Sequence, residues 1–328
     1  MLILTADDCR QALTMMECID GMKQGFKAVS DGSAIIPLRS NIPVDKHQGI
    51  SLFMPAYIAE SDNASLAVKI VSVFNQNPAK GLPLIHAAVL VLDDETGQIK
   101  ALIEGGSLTA IRTGAASGAA TDLLANRQAK VLALFGAGIQ AATQMEAVCS
   151  VRNIQEIRVY APNEDRLQLF VDTHRGQGAT LRNMVKCSSP NEALAGADII
   201  CTATTSAEPV FNDSNLKAGA HINAVGSFSP EMTEIPFSTL SRARVFVDSK
   251  EAAALESGEI SQGIANNALQ KEDILELGQA LANEKLGRQS STEITLFKSV
   301  GNAVQDAIAG KIALQNARNL GLGTEIAL

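Results

Sequence analysis

From Val131 onward, short apolar runs alternate with stretches whose apolar residues recur at helical spacing. The runs that predict strands are residues 131–135, 157–161, 198–204, 221–226 and 244–248. Strands that alternate with helices in this way are typical of βαβ units and a parallel sheet. The pattern therefore predicts an α/β fold class, with a doubly wound parallel sheet in this part of the chain.

The part of the chain before Val131 has a more mixed pattern. Thr14 and Glu17 match the capping box that begins helices, apolar residues follow at helical spacing, and Gly32 can end the helix. Residues 66–75 are mostly apolar and β-branched, which indicates a buried strand. Helical and strand patterns are therefore mixed here, as in an α+β domain.

A hairpin and a helix are predicted next. Residues 86–105 predict two strands with a turn at residues 94–97, where D-E-T-G stands. The Ala-rich stretch 108–125 predicts a helix with a face of small residues. These elements extend the first domain to the point where the alternating pattern begins.

The patterns divide the chain into two domains. We expect an α+β domain over residues 1–120 and the doubly wound domain over residues 121–298. Residues 299–328 predict a long amphipathic helix, with Val300 and Ile308 on one face, that closes the chain.

The composition excludes several classes of protein. At 328 residues, with 46% hydrophobic and 19% charged residues, the chain resembles a soluble globular protein. Its net charge of −8, without a basic cluster, argues against binding nucleic acid. No apolar run approaches the roughly 18 residues needed to span a membrane. The beginning of the sequence also lacks the basic start of a signal peptide.

The cysteines and histidines are spaced too widely for a disulfide scaffold or a metal site. The five cysteines include no C-x-x-C pair, and no two of the four histidines have metal-ligand spacing. A reducing compartment fits this pattern best. We therefore expect a cytoplasmic protein without a metal.

Residues 136–141 read G-x-G-x-x-A between a predicted strand and a predicted helix. In dinucleotide-binding turns the first glycine permits the tight turn and the second lets a pyrophosphate approach the backbone. The start of the helix then faces the phosphates. This context makes the doubly wound domain a predicted Rossmann dinucleotide-binding domain. The expected cofactor contacts in the loop are Gly136, Ala137, Gly138, Ile139 and Gln140.

The end of the second predicted strand bears on the choice of dinucleotide. An NAD enzyme places a carboxylate there to bind the ribose, but this chain has Ala161. A 2′-phosphate would not be repelled, and Asn163 or Arg166 could reach it, which favours NADPH over NADH. The alternative is structural: Asn163 caps a helix and Arg166 is solvated.

Three cations stand in otherwise apolar or small-residue stretches: Arg39, Lys69 and Arg112. Lys69 is the most unusual, because its neighbours suggest burial on both faces of a strand. Buried charges need partners, so an internal salt bridge would explain each cation by itself. Three such cations before a nucleotide-binding domain also suggest an anion site, for which a small carboxylate is the expected ligand.

The chain resembles the ornithine cyclodeaminase/mu-crystallin family over nearly its whole length. The matching stretches lie at 37–39, 68–83, 108–125, 135–141, 221–227, 245–249 and 295–306. Among them, R-T-x-A-A-S and F-x-S-V-G-x-A-x-x-D are specific in combination.

The resemblance implies roles for particular residues. Arg39 and Lys69 would bind the substrate carboxylate, and Arg112 would lie between this carboxylate and the cofactor phosphate. The nicotinamide side would be lined by Val225, Gly226 and Ser299, with Thr202 against the nucleotide. The family also implies a homodimer, whose first domain carries both the substrate pocket and the dimer interface, and to which the closing helix returns.

One stretch departs from the cyclodeaminase pattern. Ornithine cyclodeaminases resemble G-G-D-C-P-G-K-T-E, where the aspartate handles the amine and its proton. This chain has Phe228 at the aspartate's position, and a phenyl ring cannot accept a proton. Glu231 or Glu234 would have to replace the aspartate, but both lie beyond Pro230. Phe228 therefore argues against ornithine deamination.

The stretch G-S-F-x-P-E-M is instead similar to family members that reduce cyclic imino acids. Their substrates are Δ1-pyrroline-2-carboxylate and Δ1-piperideine-2-carboxylate, which give L-proline and L-pipecolate. In this reaction a hydride passes to an existing C=N bond, with the proton from Lys69 or water, and Phe228 would form an apolar wall of the substrate site. The alternatives are an alanine-type or other amino-acid dehydrogenase, an ornithine cyclodeaminase and a non-catalytic, mu-crystallin-like NADPH-binding protein.

Overall fold

The computed structural model describes residues 1–59, 64–178 and 183–327, which form two compact units. Unit 1 comprises residues 1–112 and 302–328, and unit 2 comprises residues 113–301. Helices and strands are numbered below in chain order. In the described ranges, no helix is long and apolar enough to cross a membrane.

Unit 1 is built on one mixed sheet. Its strands are β1 Leu2–Leu4, β2 Ala34–Ile35, β3 Ser40–Val44, β4 Gly49–Ile58, β5 Ser65–Phe74, β6 Ile85–Leu92, β7 Ile99–Glu104 and β16 Thr324–Glu325. Its helices are α1 Ala6–Ala12, α2 Met15–Asp31 and α11 Ala303–Leu320, and α3 Gly105–Leu124 begins here and continues into unit 2. The strand order is β16-β1-β7-β6-β5-β4-β2, and β3 pairs with β4.

The elements of unit 1 follow the local sequence signals. Helix α2 begins after Thr14, whose hydroxyl accepts the backbone N–H of Glu17, and ends at Gly32, which is left-handed. The predicted buried strand is β5, which pairs antiparallel with β4 and β6. The predicted hairpin is β6 and β7, and the predicted Ala-rich helix is α3. These sequence predictions are confirmed.

Unit 2 is built on one parallel sheet. Its strands are β8 Val131–Phe135, β9 Glu156–Tyr160, β10 Met184–Lys186, β11 Ile199–Thr202, β12 His221–Ala224, β13 Ala243–Val247, β14 Leu275–Glu276 and β15 Ile294–Lys298. Its helices are α4 Ile139–Val151, α5 Glu164–His174, α6 Pro190–Leu194, α7 Phe237–Leu240, α8 Lys250–Glu256, α9 Gly258–Ala265 and α10 Leu277–Ala282.

The strand order of unit 2 confirms the predicted fold class. The order is β10-β9-β8-β11-β12-β15-β13-β14, and every neighbouring pair is parallel. The chain runs outward from β8 in one direction through β9 and β10, and then in the other direction from β11. This reversal beside β8 is the switch point at which doubly wound sheets bind ligands, outside the carboxyl ends of the strands.

Apolar packing on both faces explains why the strands of unit 2 read as continuous apolar runs. Along β8, Ala133 and Phe135 contribute to one hydrophobic core, and Leu132 and Leu134 contribute to the other. Side chains alternate across a strand, so a strand covered on both faces favours apolar residues at successive positions. The sequence signal of a parallel sheet thus arises directly from its two cores.

The closing helix is shorter than the predicted range of 299–328. Helix α11 begins at Ala303, after the side chain of Asn302 caps it, and ends at Leu320, before left-handed Gly321. Val300 lies outside the helix, so it does not share a helical face with Ile308. Residues 303–310 are all buried, which makes this half of α11 a core helix of unit 1 rather than an amphipathic surface helix.

A buried histidine occupies the core of unit 2. His221 Nδ1 lies 2.9 Å from Thr295 Oγ1, and its Nε2 lies 3.1 Å from Asn223 Oδ1. The amide nitrogen of Asn223 donates to Thr121, so its oxygen is the acceptor and Nε2 carries the proton. Burial, reinforced by the charge of Arg288, lowers the pKa of His221 to about 3. The ring is therefore neutral in the folded protein.

His221 is expected to make the folded protein sensitive to acid. Below the ordinary pKa of 6.5 the unfolded chain binds a proton that the folded chain excludes, so stability falls as the pH falls toward 3. Between pH 6.5 and pH 5 this group alone should cost about 1–2 kcal/mol of stability. Urea unfolding at both pH values measures the loss, which His221→Gln should largely remove. His86→Gln, at an exposed position of β6, is the control and should retain the wild-type pH dependence. Equal pH dependence in wild type and His221→Gln would contradict this account.

Candidate active site

Two of the predicted cations meet at one buried carboxylate in unit 1. Lys69 lies in β5, and its Nζ is 2.6 Å from Asp306 Oδ2. Arg112 lies in α3, and its Nε donates to Asp306 Oδ1 at 3.0 Å. Lys69 is 4% exposed, Arg112 5% and Asp306 1%. Helix α11 thus brings its aspartate between a strand and a helix that are distant in sequence.

This cluster of Lys69, Arg112 and Asp306 carries a net charge of +1. The internal salt bridge that would explain each cation separately is present, but one carboxylate is shared by two cations. Arg112 Nη1 also donates to the neutral side-chain oxygen of Gln305 at 2.6 Å, which adds no negative charge. Excess charge is costly in a buried site unless a counter-ion binds. The cluster is therefore chemically suited to an anion such as a carboxylate.

The environment makes Lys69 more acidic than an ordinary lysine. Burial lowers its pKa to about 8, and Arg112 and Arg39 also lower it, while Asp306 raises it. Arg39, the third predicted cation, is half-buried between β2 and β3, and its charge thus acts on Lys69. Burial raises the pKa of Asp306, but the charges of Arg112 and Lys69 lower it by more. The pKa is therefore below its usual value, and the carboxylate stays ionised. An ammonium with a pKa near 8 can donate a proton at neutral pH.

The glycine loop follows β8 in unit 2. Gly136 has φ 113°, and a Cβ there would lie 2.5 Å from the carbonyl oxygen of Ala203. Its N–H donates to the carbonyl of Tyr160 at 2.9 Å. Only glycine fits this turn, because both the conformation and the close approach exclude a side chain. Gly136 therefore has the tight-turn role that the motif predicts.

Gly138 serves a different purpose in the loop. It is the N-cap residue of α4, has φ −113°, and makes no side-chain cap hydrogen bond. A Cβ at Gly138 would meet nothing within 4 Å, so the protein itself does not require a glycine here. Helix α5, in contrast, is capped by Asn163 and helix α9 by Ser257. Open space in front of an uncapped helix start fits a phosphate, which can accept the first N–H groups.

The remaining residues of the loop line the same helix start. Ala137 is half-buried, Ile139 is 77% exposed, and Gln140 is half-buried in the first turn of α4. Ile139 is therefore not packed within unit 2. The residues present therefore suit the pyrophosphate of a dinucleotide.

Asn163 and Arg166 lie just beyond β9, and both are exposed. The side-chain oxygen of Asn163 accepts the backbone N–H of Arg166 at 2.8 Å, so Asn163 has the structural role of a helix cap. Ala161 directly follows β9, where an NAD enzyme places its ribose-binding carboxylate. Contact of Asn163 or Arg166 with a 2′-phosphate stays a prediction.

The other predicted cofactor residues lie at the carboxyl ends of three neighbouring strands, β11, β12 and β15. Thr202 ends β11, and its hydroxyl donates to Glu234 Oε2 at 2.9 Å. Val225 and Gly226 follow β12, and the N–H of Gly226 donates to the same oxygen at 2.8 Å. Ser299 follows β15, and its hydroxyl donates to Asp248 Oδ2 at 2.7 Å. The parallel sheet thus brings these residues to one edge.

Two buried carboxylates beside the predicted residues were given no role from the sequence, Asp306 in unit 1 and Asp248 in unit 2, and Glu234 was considered only as a replacement for the missing aspartate. Asp306 interrupts the small and apolar residues of α11, and Asp248 follows the apolar strand β13. A single acidic residue in an apolar stretch was the sequence signal that could have indicated each buried carboxylate. Asp248 accepts the N–H groups of Val300 and Gly301 in addition to the hydroxyl of Ser299.

Residues 1–320 match the ornithine cyclodeaminase/mu-crystallin family. The chain belongs to this family. The Delta(1)-pyrroline-2-carboxylate reductase of Bacillus cereus is 39% identical over 328 residues, covering 99% of both chains. Membership agrees with the motifs that the sequence shares with the family.

Two solved structures are similar to this chain over nearly its whole length. The first is Thermococcus litoralis Delta(1)-pyrroline-2-carboxylate reductase in complex with NADH and L-proline, with a TM-score of 0.92, 39% identity, and coverage of 99% of this chain and 100% of that chain. The second is an archaeal alanine dehydrogenase dimer with bound NAD, with a TM-score of 0.90, 30% identity, and coverage of 99% and 98%.

Within this family, the segment after β12 distinguishes the chain from the cyclodeaminase pattern. Phe228 is 55% exposed and supplies no proton acceptor. Glu231 is exposed. Glu234 is fully buried and accepts hydrogen bonds from Thr202 and from backbone N–H groups. Its oxygens are thus occupied within unit 2, which argues against Glu234 as a substitute for the missing aspartate.

Proposed function

We propose that this chain is an NAD(P)H-dependent reductase of cyclic imino acids, which converts Δ1-pyrroline-2-carboxylate into L-proline. The observation that carries the proposal is the buried cluster of Lys69, Arg112 and Asp306, whose net positive charge suits a small carboxylate. The Bacillus cereus reductase, similar over its full length, supports the same substrate class. Δ1-piperideine-2-carboxylate, which would give L-pipecolate, is a second substrate of the same chemistry.

The residues of unit 1 would bind the substrate and supply the proton. Arg112 and Lys69 balance the substrate carboxylate, and Arg39 adds positive charge. The ammonium of Lys69, with its pKa near 8, is the proposed proton donor to the imine nitrogen, directly or through water. Protonation makes the C=N carbon electrophilic, so one proton and one hydride complete the reduction. Phe228 would present an apolar wall to the ring.

The residues of unit 2 would hold the cofactor. Gly136, Gly138 and the start of α4 would bind the pyrophosphate, and the strand ends at Thr202, Gly226 and Ser299 would hold the nicotinamide half. When bound, the reduced nicotinamide supplies the hydride. Because Ala161 stands where a ribose-binding carboxylate would repel a 2′-phosphate, we propose that NADPH is used at least as well as NADH.

We also propose a homodimer in which unit 1 forms the interface. Large apolar side chains are exposed around β2, β3 and β6, namely Ile35, Leu38, Ile42, Leu82, Leu84 and Ile85. Exposed apolar surface of this kind favours association. The archaeal alanine dehydrogenase to which the chain is similar is a dimer, which supports the proposal.

All five cysteines are free thiols, which supports a cytoplasmic location that cell fractionation would test.

One substrate panel tests the proposed function. Cofactor oxidation is followed with pyrroline-2-carboxylate, with piperideine-2-carboxylate, and with pyruvate plus ammonia, each with NADPH and NADH. Ornithine is tested separately by ammonia release. We expect rapid reduction of the imines, at best slow amination of pyruvate, and no ammonia from ornithine, since Phe228 cannot accept the amine proton. Light scattering of the same preparation measures the dimer.

Each alternative gives a different result in this panel. Faster turnover of pyruvate plus ammonia would indicate an alanine dehydrogenase, which the similarity to the archaeal enzyme makes the second candidate. Ammonia release from ornithine at a comparable rate would indicate a cyclodeaminase. Cofactor binding without any turnover would indicate a non-catalytic, mu-crystallin-like protein.

A further inference from the structure

Glu234 is fully buried between the ends of two strands of unit 2. Its Oε1 accepts the N–H of Thr204 at 2.7 Å, beyond the end of β11. Its Oε2 accepts the hydroxyl of Thr202 at 2.9 Å and, beyond the end of β12, the N–H groups of Gly226 at 2.8 Å and Ser227 at 3.3 Å. A single carboxylate thus joins the two segments that follow β11 and β12.

A second buried carboxylate, that of Glu259, holds the backbone of Glu234 in place. Glu259 Oε1 accepts the backbone N–H of Glu234 at 2.7 Å, and its Oε2 accepts the hydroxyls of Ser257 and Ser227. Lys298, at the end of β15, lies 3.4 Å from Glu259 Oε2 and donates to the carbonyl of Ser227 at 2.6 Å. Through Lys298, the hydrogen bonds of Glu259 and Ser227 therefore also connect the end of β15 to the segment that follows β12.

The hydrogen-bond donors around Glu234 favour its ionised form. Burial raises the pKa of Glu234 above its usual value, an effect that Lys298 and the N–H of Thr204 offset only in part. The backbone N–H groups of Thr204 and Gly226 can only donate, so each carboxylate oxygen must present lone pairs to them. A proton on Oε1 would face the N–H of Thr204, and a proton on Oε2 would require the hydroxyl of Thr202 to turn and accept it, so the observed donors fit the charged form best.

The two segments approach each other closely where Glu234 joins them. A Cβ at Gly226 would lie 2.2 Å from the carbonyl oxygen of Thr204. N–H groups of both segments donate to a single acceptor at this point, which links the two backbones. Glu234 is that acceptor, and its own position is determined by Glu259.

We propose that Glu234 is a positioning residue for the nicotinamide end of the cofactor. It would act by fixing residues 202–204 and 225–227, without touching the substrate or the reacting atoms. The inference rests on the proposed function, in which these strand ends hold the nicotinamide half. It assigns the geometry of the strand ends to a residue that contributes no chemistry of its own.

Glu234→Gln tests the proposal with minimal change of shape. The amide nitrogen of glutamine must face either Thr204 N–H or Gly226 N–H, which places donor against donor. We expect NADH affinity to fall by about 10- to 100-fold, as for a buried polar group left without its partner. Affinity for ADP-ribose, which lacks the nicotinamide, should change by less than about 3-fold, because the carboxylate of Glu234 bonds to residues 202, 204, 226 and 227 and not to the glycine loop itself. Both are measured by calorimetric titration of the folded protein.

Glu231→Gln is the matched control, because it makes the same change at an exposed position of the same segment. It should leave both affinities unchanged. A structural defect spread over unit 2 would weaken NADH and ADP-ribose equally, so the ratio of the two affinities reports positioning rather than stability. In turnover, hydride delivery should become slower in Glu234→Gln, which would appear as a lower kcat and a larger isotope effect with 4-deuterated NADH.

Wild-type affinities for both ligands in Glu234→Gln, or equal losses of both, would overturn the proposal. If Glu234→Gln does not fold, Glu234→Asp is measured in the same way, since it keeps the charge but is too short to reach both segments. Failure of both variants to fold would assign Glu234 to fold stability and would also overturn it. If the wild type binds NADH but reduces no imine, the proposed function fails while the titrations still test Glu234.

Discussion

Replacing Lys69 by methionine is expected to lower kcat/KM for imine reduction by about 2–5 kcal/mol, roughly 30- to 5,000-fold. The substitution keeps the length of the side chain but removes its charge. Asp306 then neutralises Arg112, so the cluster falls from a net charge of +1 to zero and no longer compensates a bound carboxylate. The proton donor is lost in the same step. Steady-state kinetics with pyrroline-2-carboxylate measure the loss.

Lys100→Met provides the control within the same sheet. Lys100 lies in β7, and its Nζ is 3.2 Å from Asp93 Oδ2. The two side chains are 30% and 28% exposed. An exposed pair contributes little, so this variant should keep wild-type kinetics. Affinity for NADH should be unchanged in both variants. Near-wild-type kcat/KM in folded Lys69→Met would return Lys69 to a purely structural role.

The pH dependence of kcat/KM gives a second readout of the same residue. With a pKa near 8, Lys69 loses its proton as the pH rises through 8, and both the carboxylate partner and the proton donor disappear. We therefore expect kcat/KM to fall above about pH 8. In Lys69→Arg the guanidinium stays charged, so the part of the fall that belongs to Lys69 should vanish, even where overall activity is lower. Identical profiles of the two proteins would exclude this titration.

The sequence predicted the sheet of unit 2 because burial on both faces leaves a strong local signal. Strands β8, β11 and β13 are apolar at nearly every position, β9 and β12 carry polar residues between apolar ones, and all five were predicted. Strand β15 was not predicted as a strand, although it lies between β12 and β13. It ends in a charged residue, Lys298, and local pattern gives no sign that this lysine is fully buried against Glu259.

The end of the chain shows how a cap can move an element boundary. Apolar residues at helical spacing suggested that the closing helix begins at residue 299. The structure begins it at Ala303, because Asn302 caps the helix and Asp248 holds the backbone of residues 300 and 301 outside it. The interaction with Asp248 joins residues far apart in sequence, and periodicity alone cannot predict it.

The candidate site was predictable in its cations but not in its carboxylates. Lys69 and Arg112 are conspicuous, because charges within apolar stretches need an explanation. Asp306 lies in α11, where helical spacing gives no reason to pair it with β5. The structural role of Glu234 in unit 2 is equally hidden, because most of its partners are backbone N–H groups, which every residue except proline carries. Residues that stabilise a site by accepting backbone N–H groups are therefore the hardest to predict from a sequence.

Gly138→Val is expected to abolish detectable binding of NADH while leaving the fold of unit 2 intact. The backbone at Gly138 is extended, with φ −113° and ψ −174°, a conformation that valine adopts readily. No protein atom lies within 4 Å of an added Cβ, so the valine enters only the space in front of α4. If the pyrophosphate binds there, the side chain excludes it from the N–H groups at the helix start. Gly138→Ala, with one carbon, should cause a smaller loss.

Gly136→Val shows what a structural role in the same loop would look like. There the residue has φ 113° and its Cβ would meet Ala203, so we expect unfolding or a large loss of stability rather than a selective loss of binding. Gly138→Val should instead unfold within about 1 kcal/mol of the wild type in urea, since the cap position has no side-chain hydrogen bond to lose. Fluorescence titration measures binding of NADH and NADPH to each folded variant. Because the predicted pyrophosphate position is common to both dinucleotides, a folded Gly138→Val protein that retains wild-type affinity for either one would place that pyrophosphate elsewhere.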